Sequence, residues 1–197
     1  MGGALALIAA GAIVGEVAAA PTAAGDGFFV TGQQLLPQLP TTGIGLADLD
    51  FDGDRDLVTV YGISAGLGGT GEPDRIWLND GTGTFVDSGQ RLGASNGAAV
   101  ALADFDRDLD VDLFVADIGY FDAAGAFHAQ PDRVWLNDGM GRFTPTAQLL
   151  GNEPATSVAT ADIDGDGDFD VLVGRQPYGH LASVRPVVVW RNNGAAS

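Results

Sequence analysis

The chain repeats itself three times, and the period limits its possible folds more than any other property. Phe29, Phe85 and Phe143 each stand seven residues before a leucine (Leu36, Leu92, Leu150). Twelve residues beyond each leucine comes the first aspartate of an acidic run: Asp48, Asp104 and Asp162. These segments align without a gap in all three copies. Next comes a tryptophan, Trp77, Trp135 or Trp190, with a proline four residues before it (Pro73, Pro131, Pro186). An Asn-Asp-Gly or Asn-Asn-Gly turn starts two residues after each tryptophan, at Asn79, Asn137 and Asn192. The acidic runs begin 56 and then 58 residues apart. Units of such length bury their apolar faces against their neighbours, so the repeats must stack.

Each unit reads as four strands. The segments GIGLA, AVALA and SVATA alternate with period two, which marks a strand. One face is small (Gly45 and Ala47, Ala101 and Ala103, Ala159 and Ala161), and the other carries Ile44 and Leu46, Val100 and Leu102, Val158 and Thr160. An all-small face predicts close approach of a neighbouring backbone, as on the innermost strand of a blade. Leu57–Val60, Leu113–Val115 and Val171–Val173 are apolar runs suited to strands buried on both faces. The tryptophan strand follows, then a turn that favours a tight hairpin, then the phenylalanine strand. The predicted fold is all-β: a partial β-propeller of three four-stranded antiparallel blades. Three blades fall below the roughly four to eight of closed propellers, so the ring is expected to be open. The third repeat reaches Trp190 without a phenylalanine strand of its own, and the segment around Phe29 is the matching spare piece. The sequence divides into a leader (1–26), a first repeat (27–84), a second (85–142) and an incomplete third (143–197). Residues 3–20 are small and apolar and precede Pro21, like a secretory signal, although no basic residue precedes Arg55 and Glu16 interrupts the run. A disordered leader is the alternative.

The acidic loops read DLDFDGDRD, DFDRDLDVD and DIDGDGDFD. Aspartate stands at positions 1, 3, 5, 7 and 9 of each. The candidate metal ligands are therefore Asp48, Asp50, Asp52, Asp54 and Asp56; Asp104, Asp106, Asp108, Asp110 and Asp112; and Asp162, Asp164, Asp166, Asp168 and Asp170. Alternating carboxylates on a curled loop converge on one centre, which suits calcium, a hard cation taking oxygen ligands. Position 7 is expected to give its backbone carbonyl, and position 9 to close the shell. Gly53 and Gly167 at position 6 permit a positive φ. The second loop has Leu109 there and Arg107 within it, so it is expected to bind most weakly. An EF-hand is excluded, because position 12 is Thr59, Val115 or Val173 rather than glutamate, and the flanks are strands. The net charge is -17, with nine arginines and no lysine, which argues against a nucleic-acid partner. Three divalent ions would bring -17 to -11. The absence of cysteine excludes disulfides and thiolate sites.

The segments LADLDFDGDRDLVTV, ALADFDRDLDVDLFVAD and TADIDGDGDFDVLVG, followed by DRIWLNDGTGTF, DRVWLNDGMGRF and VVVWRNNG, resemble FG-GAP/VCBS repeats, the blades of integrin α-like propellers and of many secreted bacterial proteins. The resemblance covers about residues 27–194. It implies calcium at the aspartate loops, an extracellular or cell-surface location, and a part in adhesion or recognition of a protein or glycan. Loops 62–72, 118–130 and 175–185 would carry that ligand site, with Tyr120, Phe121, Tyr178 and His180 available to stack on a sugar. His128 and His180 sit in loops with no patterned partner, so no catalytic constellation is expected. A propeller belonging to a polysaccharide-active enzyme and a structural spacer are the competing readings. No stretch beyond the leader is apolar enough for a membrane span. Further blades are expected from a longer chain or from a homo-oligomer.

Overall fold

The structure is a computed structural model that describes residues 33, 35, 39–62, 71–93, 96–176 and 186–194. The leader, Phe29, Leu36, Tyr178 and His180 lie outside the described residues. The chain divides into two units, Met1–Gln38 and Leu39–Ser197. Every described strand lies in the second.

All regular structure in the described residues is β. The first sheet is a meander of β1 (Thr41–Ala47), β2 (Asp56–Tyr61), β3 (Asp74–Asn79) and β4 (Phe85–Leu92). The second sheet begins with β5 (Gly97–Ala103) and β6 (Asp112–Asp117). A short hairpin, β7 (Tyr120–Phe121) and β8 (Phe127–His128), interrupts it before β9 (Asp132–Asn137) and β10 (Phe143–Leu150) complete it. In the third, β11 (Ala155–Ala161), β12 (Asp170–Arg175) and β13 (Val188–Trp190) form three strands. Each neighbouring pair is antiparallel. Among the described residues the sheets form no closed barrel. The hairpin β7–β8 was not foreseen. It forms because Asp122 caps its own turn, accepting the N–H groups of Ala124 and Ala126, each at 2.9 Å.

The sheets stack through one recurring interface. The small face of β1 receives the branched face of β5: a Cβ added to Gly45 would lie 2.8 Å from Leu102 Cδ1, and one on Gly43 would lie 3.0 Å from Ala99 Cα. Around this contact lies a core that joins Val58, Val60 and Ile76 of the first sheet to Leu113, Val115, Trp135 and Phe143 of the second. The next junction repeats it, with Ala101, Ala103 and Phe114 packed toward Val171, Val173 and Trp190. Two side-chain amides pin the junctions. Asn137 Nδ2 donates to the Leu49 carbonyl at 2.9 Å, and Asn192 Nδ2 to that of Phe105 at 2.7 Å.

Polar groups are buried at the same junctions. Asp132 accepts the N–H of Asp117 at 3.0 Å, and Arg175 of the third sheet forms a fully buried two-pronged ion pair with it. One junction earlier, Asp74 likewise accepts the N–H of Tyr61 at 2.9 Å. There the residue corresponding to Arg175 is Asp117, so a carboxyl group faces another carboxyl group. Burial, reinforced by the charge of Asp117, pushes Asp74 from 3.8 up to about 8. Between those values the unfolded chain has released a proton that the folded chain keeps. Stability therefore falls as pH rises through this window and levels off above it. In Asp74→Asn the amide mimics the protonated acid, with Oδ1 accepting from Tyr61. Its melting temperature, relative to the parent, should climb steadily from pH 5 to pH 8 in saturating calcium. Parallel pH profiles for the two proteins would show that Asp74 does not hold this proton.

Candidate metal centres

Each acidic loop is the connection between the first two strands of a sheet: β1 to β2, β5 to β6, and β11 to β12. In that setting the loop must reverse direction within a few residues, and its aspartates direct the reversal. Asp48 Oδ2 accepts the N–H of Gly53 at 3.1 Å; Asp104 and Asp162 make the same bond to Leu109 (3.1 Å) and Gly167 (3.0 Å). Position 5 turns onto position 7: Asp52, Asp108 and Asp166 each accept the N–H two residues on at 2.9 Å.

The carboxylates converge in three groups. Asp48, Asp50 and Asp56 each offer an oxygen within 4.8 Å of the others; so do Asp104, Asp106 and Asp108, and Asp162, Asp164 and Asp170. The remaining predicted ligands stand elsewhere. Asp54, Asp110 and Asp168 at position 7 turn their carboxylates toward the glycine of the following turn. A Cβ on Gly81, Gly139 or Gly194 would lie 2.8, 2.8 or 2.7 Å from them. Asp52 and Asp166 are exposed and serve the loop backbone.

Position 9 has a second task that its spacing did not disclose. Asp56 is fully buried and accepts the N–H groups of Leu49 and Asn79, each at 2.8 Å. Asp112 does the same for Phe105 and Asn137 (2.8 and 2.9 Å), and Asp170 for Ile163 and Asn192 (3.0 and 2.8 Å). This residue ties the loop to the end of the tryptophan strand. Asp56 and Asp170 also offer an oxygen to the converging group of their loop, whereas in the second loop Asp108 stands in that group in place of Asp112.

Crowding shows in the titration behaviour. Burial and then neighbouring carboxylates raise Asp50 and Asp106 above the ordinary carboxylate value. Burial pushes Asp112 up to about 6. Asp48 Oδ1 is buried with no hydrogen-bond partner. An oxygen in that state, beside two further carboxylates, fits a bound cation, which would supply the missing partner and the countercharge.

Leu109 has φ 80°, matching Gly53 (96°) and Gly167 (90°). Position 4 is left-handed too, at Phe51 (60°) and Arg107 (66°), and Gly165 in the third loop was the one hint of it. The Arg107 backbone stays in its own loop, its N–H donating to Asp104 at 2.7 Å, but its side chain leaves it. Its guanidinium crosses to the third, pairing with Asp168 and donating to the Asp166 carbonyl at 2.8 Å. Leu109→Gly should raise stability by about 1 kcal/mol, the cost of a left-handed non-glycine residue net of glycine's greater freedom when unfolded. Urea denaturation reads this directly, and a drop in the midpoint would contradict it.

The inserted hairpin carries Tyr120 and Phe121 of the four ring residues noted in the sequence; Tyr178 and His180 lie outside the described residues. Tyr120 stacks on His128 with ring centres 5.0 Å apart, and His128 Nε2 lies 2.8 Å from Asp122 Oδ2. His128 thus has a carboxylate partner that the sequence pattern did not reveal. Phe121 packs edge-on to Phe127.

Comparison with known proteins agrees with this geometry. The FG-GAP-like repeat family matches residues 48–115 and 118–173, more than half of the chain. Cartilage acidic protein 1 of Mus musculus, of Homo sapiens and of Xenopus tropicalis are each 30% identical to it over 115 residues, 54% of this chain. That stretch spans 16% of each of those relatives. Among the described residues no helix is long and apolar enough to cross a membrane.

Proposed function

The chain belongs to the FG-GAP-like repeat family, and from that premise we propose that it is a calcium-binding module, secreted or displayed at a cell surface, for adhesion or recognition of a protein or glycan. Calcium is structural in this reading. Each ion would rest on the converging carboxylates of one loop, with the position 7 carbonyl as a further oxygen donor, and would fix the reversal between the two inner strands of a sheet. It supplies positive charge and no reaction chemistry.

The single observation that carries this reading is the triple convergence of aspartate oxygens within 4.8 Å at equivalent places in three sheets. An oxygen-only donor set with such flexible geometry suits calcium better than a thiophilic metal. Extracellular modules of this kind bind in the range of about 10⁻⁴–10⁻³ M, which fills outside a cell and not in cytosol. The cartilage named in the relatives supports the same setting. Calorimetric titration of the chelator-treated chain should show calcium binding, lost when Asp50, Asp106 and Asp164 together become Asn. No heat beyond dilution at millimolar calcium would refute the reading. Recognition would fall to the loop hairpin of Tyr120–Phe121 and Phe127–His128. A glycan array probed with and without chelator tests that part separately.

A further inference from the structure

Among the described residues the third sheet has three strands where the first two have four. A cavity of about 190 Å³ lies between the second and third sheets. Its walls correspond, residue for residue, to the surroundings of Phe143 one junction earlier. There Phe143 sits in the core with Leu49, Ile76, Leu92 and the half-buried Leu78. The equivalents Phe105, Val134, Leu150 and Leu136 all line the cavity. So does Gln148, the counterpart of Gln90. Gln90 clasps the backbone of Phe143, donating to its carbonyl at 3.0 Å and accepting its N–H at 3.2 Å. Gln148 is exposed and has no such partner among the described residues. On the far side Trp190 Nε1 is buried without an acceptor among them.

The chain carries one segment of matching pattern. Phe29, Gln34 and Leu36 repeat the spacing of Phe85, Gln90 and Leu92, and of Phe143, Gln148 and Leu150. From Leu36 to β1 is the same five-residue step as from Leu92 to β5 and from Leu150 to β11. A segment 29–36 added to the third sheet would therefore be followed in register by another sheet like the first. The outer faces match that demand. On β1, Ile44 and Leu46 are 64% and 50% exposed, whereas their counterparts Val100 and Leu102 pack against the preceding sheet. On β11 the small residues Ala159 and Ala161 are exposed, whereas Gly45 and Ala47, Ala101 and Ala103 are covered. Ile163 is 44% exposed where Leu49 and Phe105 are 0% and 8%.

We propose that segment 28–36 of a second copy of this chain adds to the edge of β13 that no described strand pairs, placing Phe29 in the cavity and β1 of that copy on β11. By the register of the first two sheets, Phe29 would stand opposite Asn192 and Thr31 opposite Trp190. Gln148 would clasp the Phe29 backbone. Asn79 of the incoming copy would donate to the Ile163 carbonyl. The contact is head-to-tail, so copies continue the stack of sheets rather than pairing about a two-fold axis. It is independent of metal in the acidic loops.

Sedimentation velocity of the 197-residue chain in millimolar calcium should show assemblies that dissociate on dilution. Phe29→Asp should weaken assembly about a hundredfold, as expected for a charge placed in an apolar slot. Gln148→Ala, which removes only an exposed side chain, should weaken it about fivefold or more by loss of the clasp. Excess peptide of residues 27–38 should dissociate the assemblies and change Trp190 emission. A parent chain monomeric at every concentration overturns the proposal. So does Gln148→Ala or Phe29→Asp sedimenting like the parent, or a peptide without effect.

Discussion

Removing calcium should lower the melting temperature of this protein by on the order of 10–30 °C. Ligand that binds only the folded state stabilises it by RT ln(1 + [L]/Kd). At 10 mM calcium, dissociation constants of about 10⁻⁴–10⁻³ M give about 1.4–2.7 kcal/mol for each site. Three acidic loops triple that figure if all fill, and a chain of this length shifts by about 2–4 °C per kcal/mol. The physical source is relief of repulsion. Five aspartates crowd each nine-residue turn; backbone N–H groups of the loop and of the adjoining Asn79, Asn137 and Asn192 donate to them, and in the third loop Arg107 and Arg191 pair with Asp168 and Asp164. Differential scanning calorimetry at 10 mM calcium, at 10 mM magnesium and in excess chelator provides the comparison. Magnesium, which demands tighter octahedral geometry, should recover only part of the shift. Identical transitions in calcium and chelator would remove the metal from the account.

Arg175→Ala should cost about 3–5 kcal/mol, because it strands the Asp132 carboxylate in the junction between the second and third sheets. Both partners are essentially inaccessible to solvent, at 1% and 0% side-chain exposure. The same guanidinium also donates to the Glu153 carbonyl. Replacing both charged groups, Asp132→Leu with Arg175→Met, should restore much of the loss, since an apolar pair leaves no buried charge behind. Urea unfolding of the single and double variants measures both effects. A loss of under about 1 kcal/mol in the single variant would mean that water reaches Asp132 and solvates it.

The other junction bears on the same point from the opposite side. Asp74 and Asp117 hold the places of Asp132 and Arg175, and burial raises Asp74 to about 8. One repeat position is tyrosine, aspartate or arginine in successive copies (Tyr61, Asp117, Arg175), and a single chain gives no reason to weigh that difference. Its meaning comes from the strand that faces it in the neighbouring sheet. Arg107 teaches a similar lesson. It looks like an intruder in the second loop, yet its side chain serves the third.

Much of the architecture needed only the sequence. Period-two alternation and turn chemistry are local properties, so the four strands of the first two sheets, their order and the small packed face of β1 and β5 could be read from residues close together in the chain. The acidic loops were equally legible, because their ligand spacing is carried on nine consecutive residues. Tertiary structure decided whatever depends on contacts between repeats. It turned Asp54, Asp110 and Asp168 toward the following glycine, gave Asp56, Asp112 and Asp170 their hold on the tryptophan strand, and paired Asp132 with Arg175. Among the described residues it also formed a cavity beside Trp190. The reason is distance along the chain. A hydrogen bond or ion pair joining residues 43 or 87 positions apart leaves no periodic trace, and only the stacking of sheets brings such groups together.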